Sequence, residues 1–272
     1  MDTRTLRLGG RFTHESDVSA PALVLIEPRD PSISVLASAW STDPHFPLRQ
    51  FTDVFGNEGQ RLVIPAGRSV FEYSATVLVD DELDAADPSA PQISPDELPD
   101  EALSFLWPSR YCQSDLLMGD AWRLFGTKSP DYQRVVDISD YVHGHVAYRV
   151  GSTTPDWTAL DAFTHGYGVC RDLAHLFVTF CRALNIPARY ISGYLPDMDV
   201  VPLPTPMDFH AWAQVWLGDR WWTFDPRHNE RRKGHVVIAH GRDAADVAMI
   251  TSFGQPNLTR MVVTCEEAPE HV

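Results

Sequence analysis

The chain has 272 residues, of which 44% are hydrophobic and 11% aromatic. That corresponds to roughly two domains of about 150 residues with packed cores, and it excludes wholesale disorder. The formal charge is −15, from 37 acidic and 22 basic residues, which excludes broad electrostatic binding to nucleic acid or anionic lipid.

Other expectations follow from the same reading. No apolar run approaches about 18 residues, so no membrane span is expected. Met1-Asp2-Thr3-Arg4-Thr5 has no apolar segment behind a basic start, so no secretory signal is expected either. Cys112, Cys170, Cys181 and Cys265 are widely spaced and form no CxxC pair, which fits reduced thiols in the cytoplasm better than a disulfide framework or zinc knuckle. The only lysines are Lys128 and Lys233.

Residues 1–82 read as β. Runs at 22–26, 32–36, 51–55, 60–65 and 69–79 are bounded by Pro, Asp and Gly-rich turns, as in a β-sandwich. Residues 83–101 form an acidic, proline-rich linker, read as a solvated surface. From 102 to 272 the periodicity is first helical. Ser114-Asp115 is placed as one helix cap and Ser129-Pro130-Asp131 as another. Leu173, Leu176, Phe177, Phe180 and Leu184 recur at three- and four-residue spacing, so 170–184 is the clearest helix, stopped by Asn185-Ile186-Pro187. A strand at 188–195, a loop with Pro196, Pro202, Pro204 and Pro206, and two strands at 210–217 and 221–225 follow. The fold class is therefore α+β.

Chemistry concentrates at Gly166-Tyr167-Gly168-Val169-Cys170-Arg171-Asp172-Leu173. A cysteine on a helix's first turn faces free N–H groups and the positive end of the macrodipole, and both favour the thiolate. The same N–H groups can hold an oxyanion. Free cysteines are more often buried and inert, the reading given to Cys112 and Cys181. A nucleophilic cysteine needs a base, and the base an orienting group. If Leu217 pairs with Arg220 across a two-residue turn, Asp225 lies opposite Trp212 and diagonal to His210 on the same face. The diagonal Cβ separation is then roughly 7 Å. A one-residue slip would turn Asp225 away.

The stretches Gly168-Val169-Cys170-Arg171-Asp172-Leu173-Ala174-His175, Cys181 to Tyr194, His210-Ala211-Trp212-Ala213-Gln214-Val215-Trp216 and Trp222-Thr223-Phe224-Asp225-Pro226 resemble the bacterial transglutaminase-like superfamily. The segments 108–112 and 240–247 are also similar to that group. So is the β-rich N-terminal stretch with its Phe55-Gly56-Asn57 turn. The resemblance implies a papain-like core with a helical part and an antiparallel sheet. It implies Cys170 as nucleophile, His210 as general base and acid, and Asp225 as orienter, with no cofactor or metal. The implied activity is acyl transfer from a peptide or protein amide through a thioester, which an amine acceptor or water resolves. Hydrolysis as an amidase or cysteine protease is the alternative, and a non-catalytic binding module is another.

Other residues carry weaker signals. His143 and His145 would serve a metal-dependent hydrolase, but no third ligand accompanies them, and structural histidines are the favoured reading. His165 and His175 have no evident partner. Tyr148 is a second oxyanion donor or, more commonly, a packed tyrosine. Trp212, Trp216, Trp221 and Trp222 either floor a groove or fill a core.

Overall fold

The computed structural model describes residues 2–202 and 205–268, so Pro204 of the proline loop and the two chain ends lie outside the described residues. Six strands open the chain: β1 (Thr3–Ser16), β2 (Ala20–Val24), β3 (Ser34–Asp43), β4 (Arg49–Thr52), β5 (Glu58–Ile64) and β6 (Gly67–Asp80). Helices α1 (Asp100–Leu103), α2 (Met118–Phe125) and α3 (Tyr132–His145) follow. Next come β7 (Ala147–Tyr148), α4 (Ala159–His165), β8 (Tyr167–Gly168) and α5 (Cys170–Ala183). Strands β9 (Ala188–Tyr194), β10 (His210–Leu217), β11 (Arg220–Phe224), β12 (Val236–Gly241), β13 (Ile250–Ser252) and β14 (Asn257–Glu267) complete it.

Two four-stranded sheets, ordered β14-β1-β6-β3 and β13-β2-β5-β4, make the β-rich unit, and β11-β10-β9-β12 makes a third sheet. The α+β class expected from the sequence is present, with a β-rich part, a helical part and an antiparallel sheet. The strand expected at 51–55 ends at Thr52, because the Asp53 carboxylate accepts the Phe55 and Asn57 amides at 2.8 and 2.9 Å and folds a turn.

The β-rich unit is not confined to residues 1–82. Strand β13 pairs with β2 and β14 with β1, so the end of the chain returns to the first two sheets. One apolar core then runs from Leu6, Phe12 and Phe71 to Tyr190, Tyr194 and Val236 of the third sheet. Residues 83–101 stay mostly exposed, as expected of a solvated stretch, but are pinned to the fold at several points. Ala90 is buried, Pro91 bridges Asp131, and Asp84 bonds Arg232 and His235. The partners that hold Asp84 lie some 150 residues away, so this anchoring is invisible locally.

Helix α5 forms where the apolar spacing places it. Leu173, Leu176, Phe177 and Phe180 pack between Val135, Ile138 and Val142 of α3 and Val215, Leu217 and Phe224 of the third sheet. Asn185 at φ 61° ends it in the left-handed region. Asp131 caps α3 as expected, accepting the Gln133 amide at 3.0 Å. Ser114-Asp115 caps nothing: α2 starts at Met118 behind Leu117, and Ser114 is buried. Helix α4, unforeseen, carries a Thr158/Asp161 capping box that a search for that spacing would have found.

Buried Arg182 fixes α5 to its surroundings. Its guanidinium donates to the carbonyls of Ala188 (2.8 Å), Trp107 (3.1 Å) and Arg242 (2.6 Å). It thereby joins the segments 108–112 and 240–247, where Asp243 also accepts the Tyr111 amide at 2.9 Å. We expect Arg182→Leu to strand three carbonyl acceptors, one buried and two half-buried, around an emptied polar pocket and to cost about 3 kcal/mol. A urea melt should show the midpoint falling accordingly, and an unchanged midpoint would refute this account.

Candidate active site

The two residues before Val169 are held extended by β8, which lies parallel to β7 with Ala147 opposite Tyr167 and Tyr148 opposite Gly168. Asp172, three residues into the turn, accepts the Val169 amide at 2.9 Å and the Thr153 hydroxyl at 2.8 Å. Arg171 pairs with the same carboxylate at 2.9 Å. A Cβ on Gly168 would stand 2.7 Å from Asp172 Cβ, so only glycine lets the chain enter the helix this way. Cys170 thus occupies the first helical position and is half-buried.

His210 opens β10, opposite Gly193 of β9. The β10–β11 ladder pairs Leu217 with Arg220 and Ala213 with Phe224, the register expected from the sequence. Gly218, at φ 61°, supplies the left-handed position of the two-residue turn. One rung beyond the ladder, Asp225 returns to the His210 face. His210 Nε2 and Asp225 Oδ2 are 2.7 Å apart, with the side chains 5% and 1% exposed. The other Asp225 oxygen accepts the Arg227 amide at 3.0 Å.

Burial alone would push the His210 imidazole down, but the Asp225 carboxylate, with a smaller push from Cys170, raises it to about 9. Asp225 is held well below the usual carboxylate range: burial opposes its charge, and His210 and His235 outweigh that penalty. His228 goes the other way. Burial lowers it to about 4, and its Nδ1 accepts from Arg232.

Cys170 and His210 line two clefts together with Gly151, Val169, Asp208 and Phe209. One, of about 260 Å³, adds Tyr148, Leu195, Met207 and Arg227. The other, of about 720 Å³, adds Tyr111, Tyr190, Met249, Ile250 and Met261. Tyr148 is therefore a cleft residue, 41% exposed, with the Arg227 guanidinium 4.2 Å from its ring centre. The tryptophans are not groove floor. Trp212 and Trp222 are buried, and Trp216 packs edge-on against Trp221.

The histidines weighed for a metal are spent elsewhere. His143 Nδ1 lies 3.1 Å from the Arg227 carbonyl, and His145 Nε2 lies 2.7 Å from that of Phe163. His175 is buried between Tyr111 and Tyr190, with its Nε2 accepting the Ala244 amide. His165 packs at a tilt against Trp157, with ring centroids 5.2 Å apart. Donor atoms of His210, Asp225 and His235 lie within 4.8 Å of one another. The 2.7 Å His210–Asp225 contact is a hydrogen bond, shorter than the spread of about 3.3 Å that tetrahedral zinc imposes on its ligands. The trio is read as ionic and hydrogen-bonded. His235 and Asp84, which reach Asp225 from behind, carried no signal in the sequence, because nothing local connects them to it.

These features define a papain-like core with a cysteine at a helix start facing a buried His–Asp pair. Residues 121–226 match the model of the transglutaminase-like superfamily. A solved structure described as "a Putative Cysteine Protease from Cytophaga hutchinsonii" has a TM-score of 0.87 and 31% identity, covering 100% of this chain and 93% of that one. An uncharacterized protein of Mycobacterium leprae is 31% identical over 175 residues, 61% of this chain and 62% of its own length. One of Mycobacterium tuberculosis is 30% identical over 149 residues, 51% of this chain and 47% of its own. The chain thus spans roughly half to three fifths of the curated relatives it matches. It belongs to the transglutaminase-like superfamily. Among the described residues, no helix is long and apolar enough to cross a membrane.

The four cysteines differ sharply in environment. Burial pushes Cys112 up to about 12 and raises Cys181 and Cys265 as well, whereas Cys170 opens on both clefts. Iodoacetamide at pH 7, followed by peptide mapping, should label Cys170 at least tenfold faster than the other three. Equal labelling would refute the assignment.

Proposed function

We propose that the chain is a cysteine-dependent acyl-transfer enzyme acting on peptide or protein amides. The observation that carries this reading is the buried His210–Asp225 hydrogen bond beside a half-buried cysteine at a helix start. The Cys170 thiolate attacks the amide carbon and forms a C–S bond. His210, as imidazolium, gives its proton to the departing nitrogen as the C–N bond breaks. A thioester remains, and His210 then takes the proton of the amine or water that resolves it. Asp225 orients the ring and stabilises its charge. The Cys170 and Arg171 amides, which have no acceptor among the described residues, serve the developing oxyanion, with the Tyr148 hydroxyl as a second donor.

Hydrolysis is the second reading. Two open clefts meet at Cys170, so water reaches the thioester, and the Cytophaga relative carries a protease name. A peptide library incubated with and without added amine separates the two: mass spectrometry reads amine incorporation, deamidation and chain cleavage as distinct products. None of the three would overturn the enzyme reading.

Cys170→Ala and His210→Ala should abolish turnover in folded protein, while Asp225→Asn retains residual activity. The wild-type rate should fall as the pH rises through about 9, where His210 loses its proton. In Asp225→Asn the carboxylate that raises His210 is gone while burial still lowers it, so the alkaline fall should move to lower pH. A fall that stays in place would count against the pair.

Self-crosslinking should be negligible, even with amine acceptors in use. Lys128 pairs with Asp137 at 2.9 Å. Lys233, in the loop before β12, is clasped by Asp81 and Asp199 at 2.6 and 2.7 Å. Those carboxylates raise its ammonium further above neutrality. A reducing denaturing gel of concentrated protein tests this: a covalent ladder that is absent in Cys170→Ala would refute it.

A further inference from the structure

Behind Asp225 lies a second histidine that the proposed chemistry does not use. His235 precedes β12, and its side chain is 4% exposed. Its Nδ1 is 3.1 Å from Asp84 Oδ1 and 3.0 Å from Asp84 Oδ2. Its Nε2 points at Asp225 Oδ2 from 3.7 Å, the same oxygen that His210 holds at 2.7 Å. That Nε2 is buried and has no closer hydrogen-bond partner. The ring packs on Trp212 with centroids 4.6 Å apart, and on His210 at 6.4 Å.

Asp84 is itself fixed. Its carboxylate accepts the Arg232 amide at 3.0 Å, and its backbone carbonyl accepts from Arg231. From Asp84 through His235, Asp225 and His210 to Cys170, acidic and basic groups alternate. His235, Asp225 and His210 are almost wholly out of water, so each charge among them needs its neighbours.

We propose that His235, clamped by Asp84, is a positioning residue that holds Asp225 from behind and sets how strongly Asp225 binds the proton of His210. This rests on the reading of His210 and Asp225 as the acid–base pair. The groups facing His235 are Asp84 from the segment after β6, His210 from β10 and Asp225 after β11, and His228 approaches the same Asp225 oxygen at 4.0 Å. Arg231 and Arg232 come from the loop before it. Burial disfavours a charge on His235, but Asp84 and then Asp225 outweigh it and raise its proton affinity. Charged, His235 shields Asp225 and weakens its hold on the His210 proton.

The sign of the test follows. Asp84→Asn removes the clamp and His235→Gln removes the cation. Each should raise the pH at which His210 loses its proton by about one unit, and the double variant should shift it no further. His235→Arg, which keeps a cation between the two carboxylates, should restore the wild-type position. Nitrogen-15 histidine NMR of the full chain reads the His210 titration directly and needs no turnover. Failure of the enzyme reading therefore leaves this measurement intact. In the wild type, His235 should carry protons on both nitrogens at pH 7. A neutral His235 in the wild type, or a His210 titration unmoved in folded Asp84→Asn and His235→Gln, overturns the proposal.

Discussion

The hydrogen bond between His210 and Asp225 joins two side chains that are almost wholly out of water. An unpaired charge there would cost several kcal/mol, so each residue can be charged only while the other is in place. That condition reaches outward. It demands one hairpin register, because a slip of one residue would send Asp225 to the opposite face. It demands a turn at Gly218 that closes the hairpin in two residues. The loop beyond must also curl back, which the Asp225 carboxylate enforces by accepting the Arg227 amide and the Asp225 carbonyl by accepting that of Asn229.

The same site is electrostatically awkward for a chain of formal charge −15, since the thiolate of the proposed chemistry adds one more anion. The remedy is local pairing. Asp172, two residues from Cys170, is held by Arg171, Thr153 and the Val169 amide. Asp225 meets His210 in front and His235 behind, and Asp84 meets His235 and the Arg232 amide. Each buried carboxylate near Cys170 is thus matched before it can oppose the sulfur, and the remaining acidic residues are mostly at the solvated surface, where salt screens them.

How much of this was legible in the sequence depended on the range of the interaction. Helix α5 was legible because its stripe repeats every three or four residues, and the hairpin because alternation and a two-residue turn leave one register. Both signals span fewer than about twenty residues. Strand β14 pairs with β1 across nearly the whole chain, and Asp84 meets His235 across 151 positions, so no local pattern encodes either. Asp84 reads as part of a solvent-facing linker because its partners, Arg232 and His235, lie far along the sequence. Tyr148 was misjudged for a related reason: a two-residue bridge to β8 places it on the cleft, and two residues show no period.

The family match at 121–226 encloses Cys170, His210 and Asp225, yet much around them lies outside it. Tyr111, Met249, Ile250 and Met261 wall the larger cleft, and Met261 belongs to β14, in the β-rich unit. Asn57, in a turn of that unit, exchanges two hydrogen bonds with the His240 backbone in β12, at 2.8 and 2.9 Å. Tyr194 donates to the Ile26 carbonyl at 2.8 Å. These contacts, through β12 and β9, set the distance between the β-rich sheets and the sheet that carries His210. A change in that packing would alter the width of the cleft without touching the reactive groups. The proposed reactive centre is built from short-range patterns inside the matched region, whereas the cleft beside it is built from long-range contacts around it. Chains that share the centre can therefore differ in what they act upon.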